Sequence, residues 1–372
     1  MEIVPGGRSR EKTIVRTSFI GIAVNVLLAG FKAAVGLIAG SNAVVLDAVN
    51  NLTDALSSVI TVIGTKIANR TPDKKHPLGH GRVEYISSML ISALMLYAGI
   101  TALVESVKKI IHPSPADYST VSLIIIAAAV VAKVLLGTFV KRTGKRVNSG
   151  ALIASGSDAL FDAILSGSVL VSAIIFLLTK VSLEAYVGVV ISVFIIKSGV
   201  EMLFESFSEI VGRRMDPEFS DKIRAAVLED PDVLGAYDLI LNSYGPERVI
   251  GSVHVEVPDS MTAEQIDSME RRIAGRVYSE HGVLLTGIGI YSRATGEGVS
   301  RLREQATRIV MSHPEALQIH GFRVDEELKQ MNLDVIIDYS VKNRAEIFAG
   351  ICRELAEAFP DYSVNAILDI DI

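Results

Sequence analysis

Asp47, Asn50 and Asp54 stand at i, i+3 and i+7 in "VVLDAVNNLTDALSSV", residues 44–59, a stretch otherwise rich in Val, Leu, Ala and Ser. At about 100° per residue, this spacing gathers the three side chains within about 60° of one another on an α-helix. A second stretch, "IASGSDALFDAILSG", sets Asp158 and Asp162 four residues apart, again on one helical face. Each helix thus offers a pair of oxygen ligands, and two facing pairs can share a cation. Carboxylates in a bilayer interior are costly unless paired, hydrated, protonated or bound to a cation, so by default they mark an ion or proton path. Hydrogen-bonded glue between helices is the plainer alternative. Asp47 lies a turn nearer the outer end of its helix and reads as an accessory or entry-path residue.

The elements that must position these residues follow from composition. The chain has 372 residues, 49% of them apolar, with no Trp and one Cys, Cys352, and a mean hydropathy of +0.41. That is too apolar for an ordinary soluble chain. A lone Cys allows neither an internal disulfide nor a Cys-rich metal site, so a metal must meet oxygen or imidazole. Six apolar stretches, 14–39, 43–65, 83–107, 119–140, 151–178 and 184–210, each reach the ~20 residues that cross ~30 Å of hydrocarbon. Basic residues crowd alternate ends: Arg8, Arg10, Lys12 and Arg16; Lys66, Arg70, Lys74, Lys75 and Arg82; Lys141, Arg142, Lys145 and Arg146; Arg213 and Arg214. The opposite connections carry only Lys108, Lys109 and Lys180. This asymmetry predicts a multi-pass protein of the cell membrane with both termini cytoplasmic.

Charge divides the chain near Arg213. Residues 1–212 carry 19 basic against 14 acidic side chains, net +5, and residues 213–372 carry 17 against 28, net −11. An acidic soluble half argues against nucleic acid as a partner, since binding phosphate needs a basic face. Other span charges read blandly: Lys197 and Glu201 can pair at i, i+4, and Lys32, Lys133 and Glu105 are taken to face neighbours or water.

With these motifs in register, the chain resembles the cation diffusion facilitators, proton-coupled exporters of divalent metals. "DAVNNLTD" is similar to that family's Asp-x-x-[His/Asp/Asn]-x-x-x-Asp in span two, and "SDALFD" to its [His/Asp]-x-x-x-Asp in span five. The resemblance covers about residues 10–292. It implies a transport site of Asn50, Asp54, Asp158 and Asp162, alternately open inward and outward in a homodimer. In "TPDKKHPLGHGRVE" between spans two and three, Pro72, Pro77, Gly79 and Gly81 oppose a continuous helix. Asp73, His76 and His80 therefore converge only through loop geometry. Solvated loop polarity is the plainer reading, but the family places a loop metal site with Asp-x-x-His-x-x-x-His here. Arg82 falls where the family often has a basic residue that ties the spans together, with Glu209 a candidate partner, and Glu84 lies beside it.

The soluble half contains an internal repeat. Residues 217–292 read as helix, strand, strand, helix, strand, and 298–372 repeat that order, with "EDPDVLGAYDL" matching "SHPEALQIHGF" and "GSVHVEVPDS" matching "LDVIIDYSVK". The expected fold is an α-helical membrane protein of six transmembrane helices followed by two α+β ferredoxin-like cytoplasmic domains, with boundaries at 1–212, 213–293 and 294–372. The resembled family normally has one such soluble domain. Of the His and Asp it uses for soluble metal sites, Tyr237 replaces one His, "GIYSR" lacks another, and His254 remains as an accessory candidate. His281, His313 and His320 read as exposed or capping residues, so the soluble half is expected to act chiefly in dimerisation.

An all-oxygen quartet suits hard cations such as Mn²⁺, Mg²⁺ or Ca²⁺ over Zn²⁺, for which imidazole is more favourable. Zinc-selective members of the resembled family usually carry His in these pairs, so Asn50 and Asp158 point to its manganese-type branch, with Fe²⁺ the chief competitor and Zn²⁺ or Co²⁺ behind it. Three crowded carboxylates repel one another, and at least one should hold a proton until a dication displaces it, which makes the cycle antiport of cation against protons. No covalent chemistry is implied, so the chain is not expected to be an enzyme and needs no cofactor beyond the transported metal. Two other readings share these residues: a monovalent-cation/proton exchanger, and a transport-inactive membrane metal sensor.

Overall fold

The computed structural model describes residues 7–38, 42–112, 120–179 and 183–370. Long apolar runs without internal proline become six long helices: α1 (Gly7–Ile38), α2 (Asn42–Ala68), α3 (Val83–Ile111), α4 (Thr120–Arg146), α5 (Gly150–Thr179) and α6 (Glu184–Val211). Among the described residues, five of these are long and apolar enough to cross a membrane. Helix α2 carries Asn50, Asn51, Asp54, Ser57, Ser58, Thr61 and Thr65 along its length. The helices pack chiefly as the pairs α1 with α2, α4 with α5, and α3 with α6.

Small residues set the closest of these approaches. A Cβ added at Gly137 of α4 would lie 2.8 Å from Leu160 Cγ and 3.0 Å from the Gly156 carbonyl of α5, so the two backbones meet where only glycine fits. That contact brings the middle of α4 against the half of α5 that carries Asp158 and Asp162.

The chain divides into two compact units. The first joins residues 1–213 to the hairpin tip Ser243–Arg248, and the second comprises Arg214–Asn242 and Val249–Ile372. Within the first unit, Tyr85 Oη lies 2.6 Å from Ser243 Oγ and Arg248 donates to the Leu78 carbonyl at 2.7 Å.

The second unit holds both repeats. The first runs α7 (Pro217–Leu228), β1 (Gly235–Ser243), β2 (Val249–Pro258), α8 (Ala263–His281), β3 (Val283–Arg293). The second runs α9 (Glu297–Val310), β4 (Ala316–Asp325), β5 (Gln330–Ile337), α10 (Arg344–Ala358), β6 (Ser363–Asp369). Each forms a three-stranded sheet, ordered β1-β2-β3 and β4-β5-β6. Each is one strand short of a complete β-α-β-β-α-β layer. The central strands pair in parallel with the last strands, β2 with β3 and β5 with β6, as a helical crossover requires.

Period-two alternation explains which face packs. Val253, Val255 and Val257 of β2 bury against Ile223 and Val227 of α7 and Met269, Ile273 and Val277 of α8. Leu333, Val335 and Ile337 of β5 do the same against Ala306 and Val310 of α9 and Ile351 and Leu355 of α10. Each fully buried Val, Leu, Ile or Met contributes about 1.5–3 kcal/mol. Helix α8 begins at a capping box, with Thr262 Oγ1 accepting from the Gln265 N–H and Gln265 Oε1 from the Thr262 N–H. Between the repeats, the Glu256 carboxylate, 3% exposed, receives Arg303 of α9 at 2.7 Å.

Candidate metal transport site

Asp54 of α2 and Asp162 of α5 come together on a single cation, the ammonium of Lys133 from α4. Lys133 Nζ donates to Asp54 Oδ2 at 2.7 Å and also to Asp162 Oδ2. Lys133 is 3% exposed and Asp54 8%, so this three-helix cluster is screened little by solvent. Asp158 lies one turn before Asp162 on α5 and acts electrostatically on Asp54, Asp162 and Lys133. The arrangement is a buried place for positive charge, ringed by carboxylates from two helices.

The remaining α2 residues divide. Asn50 is exposed, whereas its neighbour Asn51 is fully buried with neither amide atom hydrogen-bonded within the protein. Asp47 falls within α2, but its side chain lies outside the described residues. Lys133 is the residue that the sequence reading passed over. Facing "neighbours or water" understates a side chain that meets both carboxylates, and no local spacing signals it, because its partners lie on other helices.

The loop between α2 and α3 does bring its three residues together. His76 Nδ1 lies 3.4 Å from Asp73 Oδ1, His80 Nε2 lies 3.5 Å from Asp73 Oδ2, and the two rings are 4.5 Å apart. Asp73 Oδ1 also accepts the backbone N–H groups of Lys75 and His76 at 2.8 and 2.7 Å. The His76 N–H above all holds the Asp73 carboxyl below its ordinary range, ionised and ready to accept a cation. Ligand atoms of all three residues lie within 4.8 Å of one another, a spacing that one metal ion can bridge.

Arg82 and Glu84 take separate partners. Arg82 lies over the Tyr244 ring, 4.5 Å from its centroid, and donates to the Ser243 carbonyl at 3.3 Å, while Glu209 lies 3.7 Å from Arg213. Glu84, 2% exposed, takes a bidentate pair of hydrogen bonds from Arg10 at 2.9 and 2.7 Å. Arg10 also donates to the carbonyls of Val147 and Asn148, so the start of α1 fastens α3 to the α4–α5 turn.

In the second unit, His313 lies 3.2 Å from Glu354 and His281 3.8 Å from Glu280. His320 departs from the exposed or capping role expected of it, since its side chain is 0% exposed. Alternation along β4 alone does not reveal this, because the neighbouring repeat buries it. His254 stands beside Asp238, with Nδ1 2.9 Å from Oδ2.

Residues 18–211 match the family model described as the cation efflux transmembrane domain. Over 279 residues, the chain is 28% identical to an uncharacterized transporter of Methanocaldococcus jannaschii, covering 74% of this chain and 96% of that protein. It is 23% identical to the manganese efflux system protein MneP of Bacillus subtilis, over 72% of this chain and 92% of that protein. It is 24% identical to the cation-efflux pump FieF of Escherichia fergusonii, over 72% of this chain and 91% of that protein. Each of these relatives is nearly spanned while about a quarter of this chain remains unmatched.

Proposed function

This chain belongs to the cation efflux family, whose members are transporters of divalent metal cations, and from that premise we propose that it exports Mn²⁺ from the cytoplasm in exchange for protons. The pathway runs through Asn50, Asp54, Asp158 and Asp162, with α2 as the sixth span. The observation that carries this reading is the convergence of Asp54 and Asp162 on the Lys133 ammonium. A position where a buried cation already sits between carboxylates of two helices is one a metal ion can take by displacing it.

Charge supports the stoichiometry. Three ionised carboxylates against one ammonium leave two negative charges, which a dication neutralises and which two protons neutralise equally well. Metal leaving outward and protons entering therefore keep the buried site near neutrality in both halves of the cycle, avoiding the cost of an uncompensated charge. Lys133 serves as the internal counter-ion, pairing Asp54 and Asp162 when the metal is gone and yielding when it binds. Alternating exposure comes from two packings of the helices around this fixed point.

The oxygen-only donor set favours a hard dication, and the likeness to a manganese efflux protein agrees. Fe²⁺ is the nearest competitor, followed by Zn²⁺ and Co²⁺. The loop residues Asp73, His76 and His80 serve as a cytoplasmic collecting site. Residues 213–293 and 294–372 form two ferredoxin-like cytoplasmic domains, both termini are cytoplasmic, and the working unit in the cell membrane is a homodimer.

The test is metal uptake into proteoliposomes across a panel of Mn²⁺, Fe²⁺, Zn²⁺, Co²⁺, Mg²⁺ and Na⁺ under an imposed pH gradient. Mn²⁺ uptake that collapses with the gradient is expected. Proton movement driven by Na⁺ alone, or metal binding without flux, would replace the proposal with an exchanger or a sensor.

A further inference from the structure

His320 of β4 is completely buried, and neither of its ring nitrogens makes a directed hydrogen bond within the protein. Leaving a buried polar group unsatisfied costs about 1–3 kcal/mol. Yet its Nε2 lies 2.9 Å from Asp238 Oδ1 and 3.2 Å from Asp369 Oδ2, with Asp334 Oδ2 at 4.0 Å. His254 Nδ1 and Asp238 Oδ1 are likewise buried without a directed hydrogen bond. The His320 imidazole is thus held at ion-pair distance from carboxylates of both repeats, in a geometry that donor–acceptor alignment does not explain and a shared cation would. The ligand atoms of Asp238, His320 and Asp369 all lie within 4.8 Å of one another.

The cluster is built from both repeats. Matching "PDVLGAYD" with "PEALQIHG" sets Tyr237 on His320 and Asp238 on Gly321. The burial of β2 and β5 superposes Gly251–Val257 on Met331–Ile337, which corrects the sequence match of "GSVHVEVPDS" with "LDVIIDYSVK" by two residues and sets His254 on Asp334. Sheet register then sets Tyr291, paired with Glu256, on Asp369, paired with Ile336. Equivalent positions of the two sheets therefore face one another but differ in chemistry. Tyr237 stacks on His320 with centroids 5.3 Å apart, and Tyr291 donates to Asp238 Oδ2 at 2.7 Å.

The backbone carries the same asymmetry. Gly321 has φ +62°, and a Cβ there would lie 2.6 Å from Asp334 Oδ2. Its counterpart Asp238 keeps the left-handed conformation, with φ 51°, at a cost of roughly 1–2 kcal/mol over glycine. One repeat leaves space at this position and the other fills it with a carboxylate.

We propose that the soluble half holds a divalent transition-metal ion between its two repeats, ligated by Asp238, His320 and Asp369, with His254 and Asp334 closing its shell. Imidazole together with carboxylate suits Zn²⁺ or Co²⁺ better than the hard cations an all-oxygen site prefers. The ion takes the buried imidazole of His320 as a ligand and offsets the clustered carboxylates. It also fastens the second repeat to the first, so metal in the cytoplasm sets the stability of the soluble half. No residue is shared with the transport pathway, and the inference stands whether or not the exported ion is Mn²⁺.

The experiment is a Co²⁺ titration of the purified full chain in detergent, followed by visible absorption and by the paramagnetically shifted imidazole proton signals. In a background carrying Asp54→Asn and His80→Ala, which leaves the cluster untouched, one Co²⁺ per chain with histidine coordination is expected, and Zn²⁺ should displace it. In that background, Asp369→Asn should weaken Co²⁺ binding at least tenfold with the circular dichroism spectrum unchanged, and His320→Gln should abolish the imidazole signals. Absence of bound Co²⁺ in the unaltered cluster would overturn the proposal, as would equal binding and identical spectra with Asp369→Asn.

Discussion

Lys133 and Asp54 stand 79 residues apart in sequence and 2.7 Å apart in space, the ammonium of α4 against the carboxylate of α2. Since Asp162 accepts from the same nitrogen, any metal held by the two carboxylates must compete with a cation built into the protein. Lys133→Met, similar in length and uncharged, removes that competitor. The KM for Mn²⁺ should fall about tenfold, equivalent to about 1.4 kcal/mol, while the maximal rate falls because release leaves Asp54 and Asp162 without their counter-ion. Initial rates in proteoliposomes over a range of Mn²⁺ concentrations decide this. An unchanged KM with full maximal rate would remove Lys133 from the cycle.

Asp73, His76 and His80 are gathered by a loop rather than by a helix, and they lie away from the Lys133 cluster in sequence and in secondary structure. Their proposed work is to collect metal at low concentration. His80→Ala should lower Mn²⁺ flux about five- to tenfold when metal is scarce, as loss of one ligand in a weak site suggests, and leave the saturating rate within about twofold. A uniform loss at all concentrations would instead point to a damaged fold.

How far the sequence reveals these arrangements depends on whether the partners are local. Asp54 and Asp162 are legible because each closes an i, i+4 polar pair, although Asn50, the partner of Asp54 in that spacing, is exposed, and the repeat is legible because buried valines and leucines alternate along β2 and β5. Lys133 is not, since a single charge in an apolar helix has no period and its two partners come from other helices. His320 is half legible: aligning the repeats places it on Tyr237, but its burial comes from the sheet of the other repeat, which one strand's pattern cannot report.

Asp230 and Arg272 supply a pH dependence of stability. Arg272 donates to both carboxylate oxygens of the buried Asp230 at 2.9 Å, and these bonds hold that carboxyl below its ordinary range. A group whose folded pKa is depressed stabilises the fold above its unfolded pKa, ~3.9 for Asp, and loses that contribution as pH falls through the folded value. Arg272 is 44% exposed, so solvent screening reduces the effect. Arg272→Met should lower stability at pH 7, and the gap from the parent should narrow as pH falls through the depressed folded-state pKa of Asp230. Unfolding of the purified chain, followed by circular dichroism at pH 7 and at about pH 3, reads this; a gap that persists at the lower pH would contradict it.

The central claim is that a metal ion crosses the membrane between Asp54 and Asp162, and Asp162→Asn tests it most directly. The amide keeps the size of the side chain and an oxygen for Lys133 while removing one charge from a site with few ligands. Measured as Mn²⁺ uptake into proteoliposomes at matched protein density and a fixed inward pH gradient, the rate should fall by roughly a hundredfold, about 2.7 kcal/mol, with the chain still folded and reconstituted. Uptake within about twofold of the parent rate in that same preparation would contradict the claim.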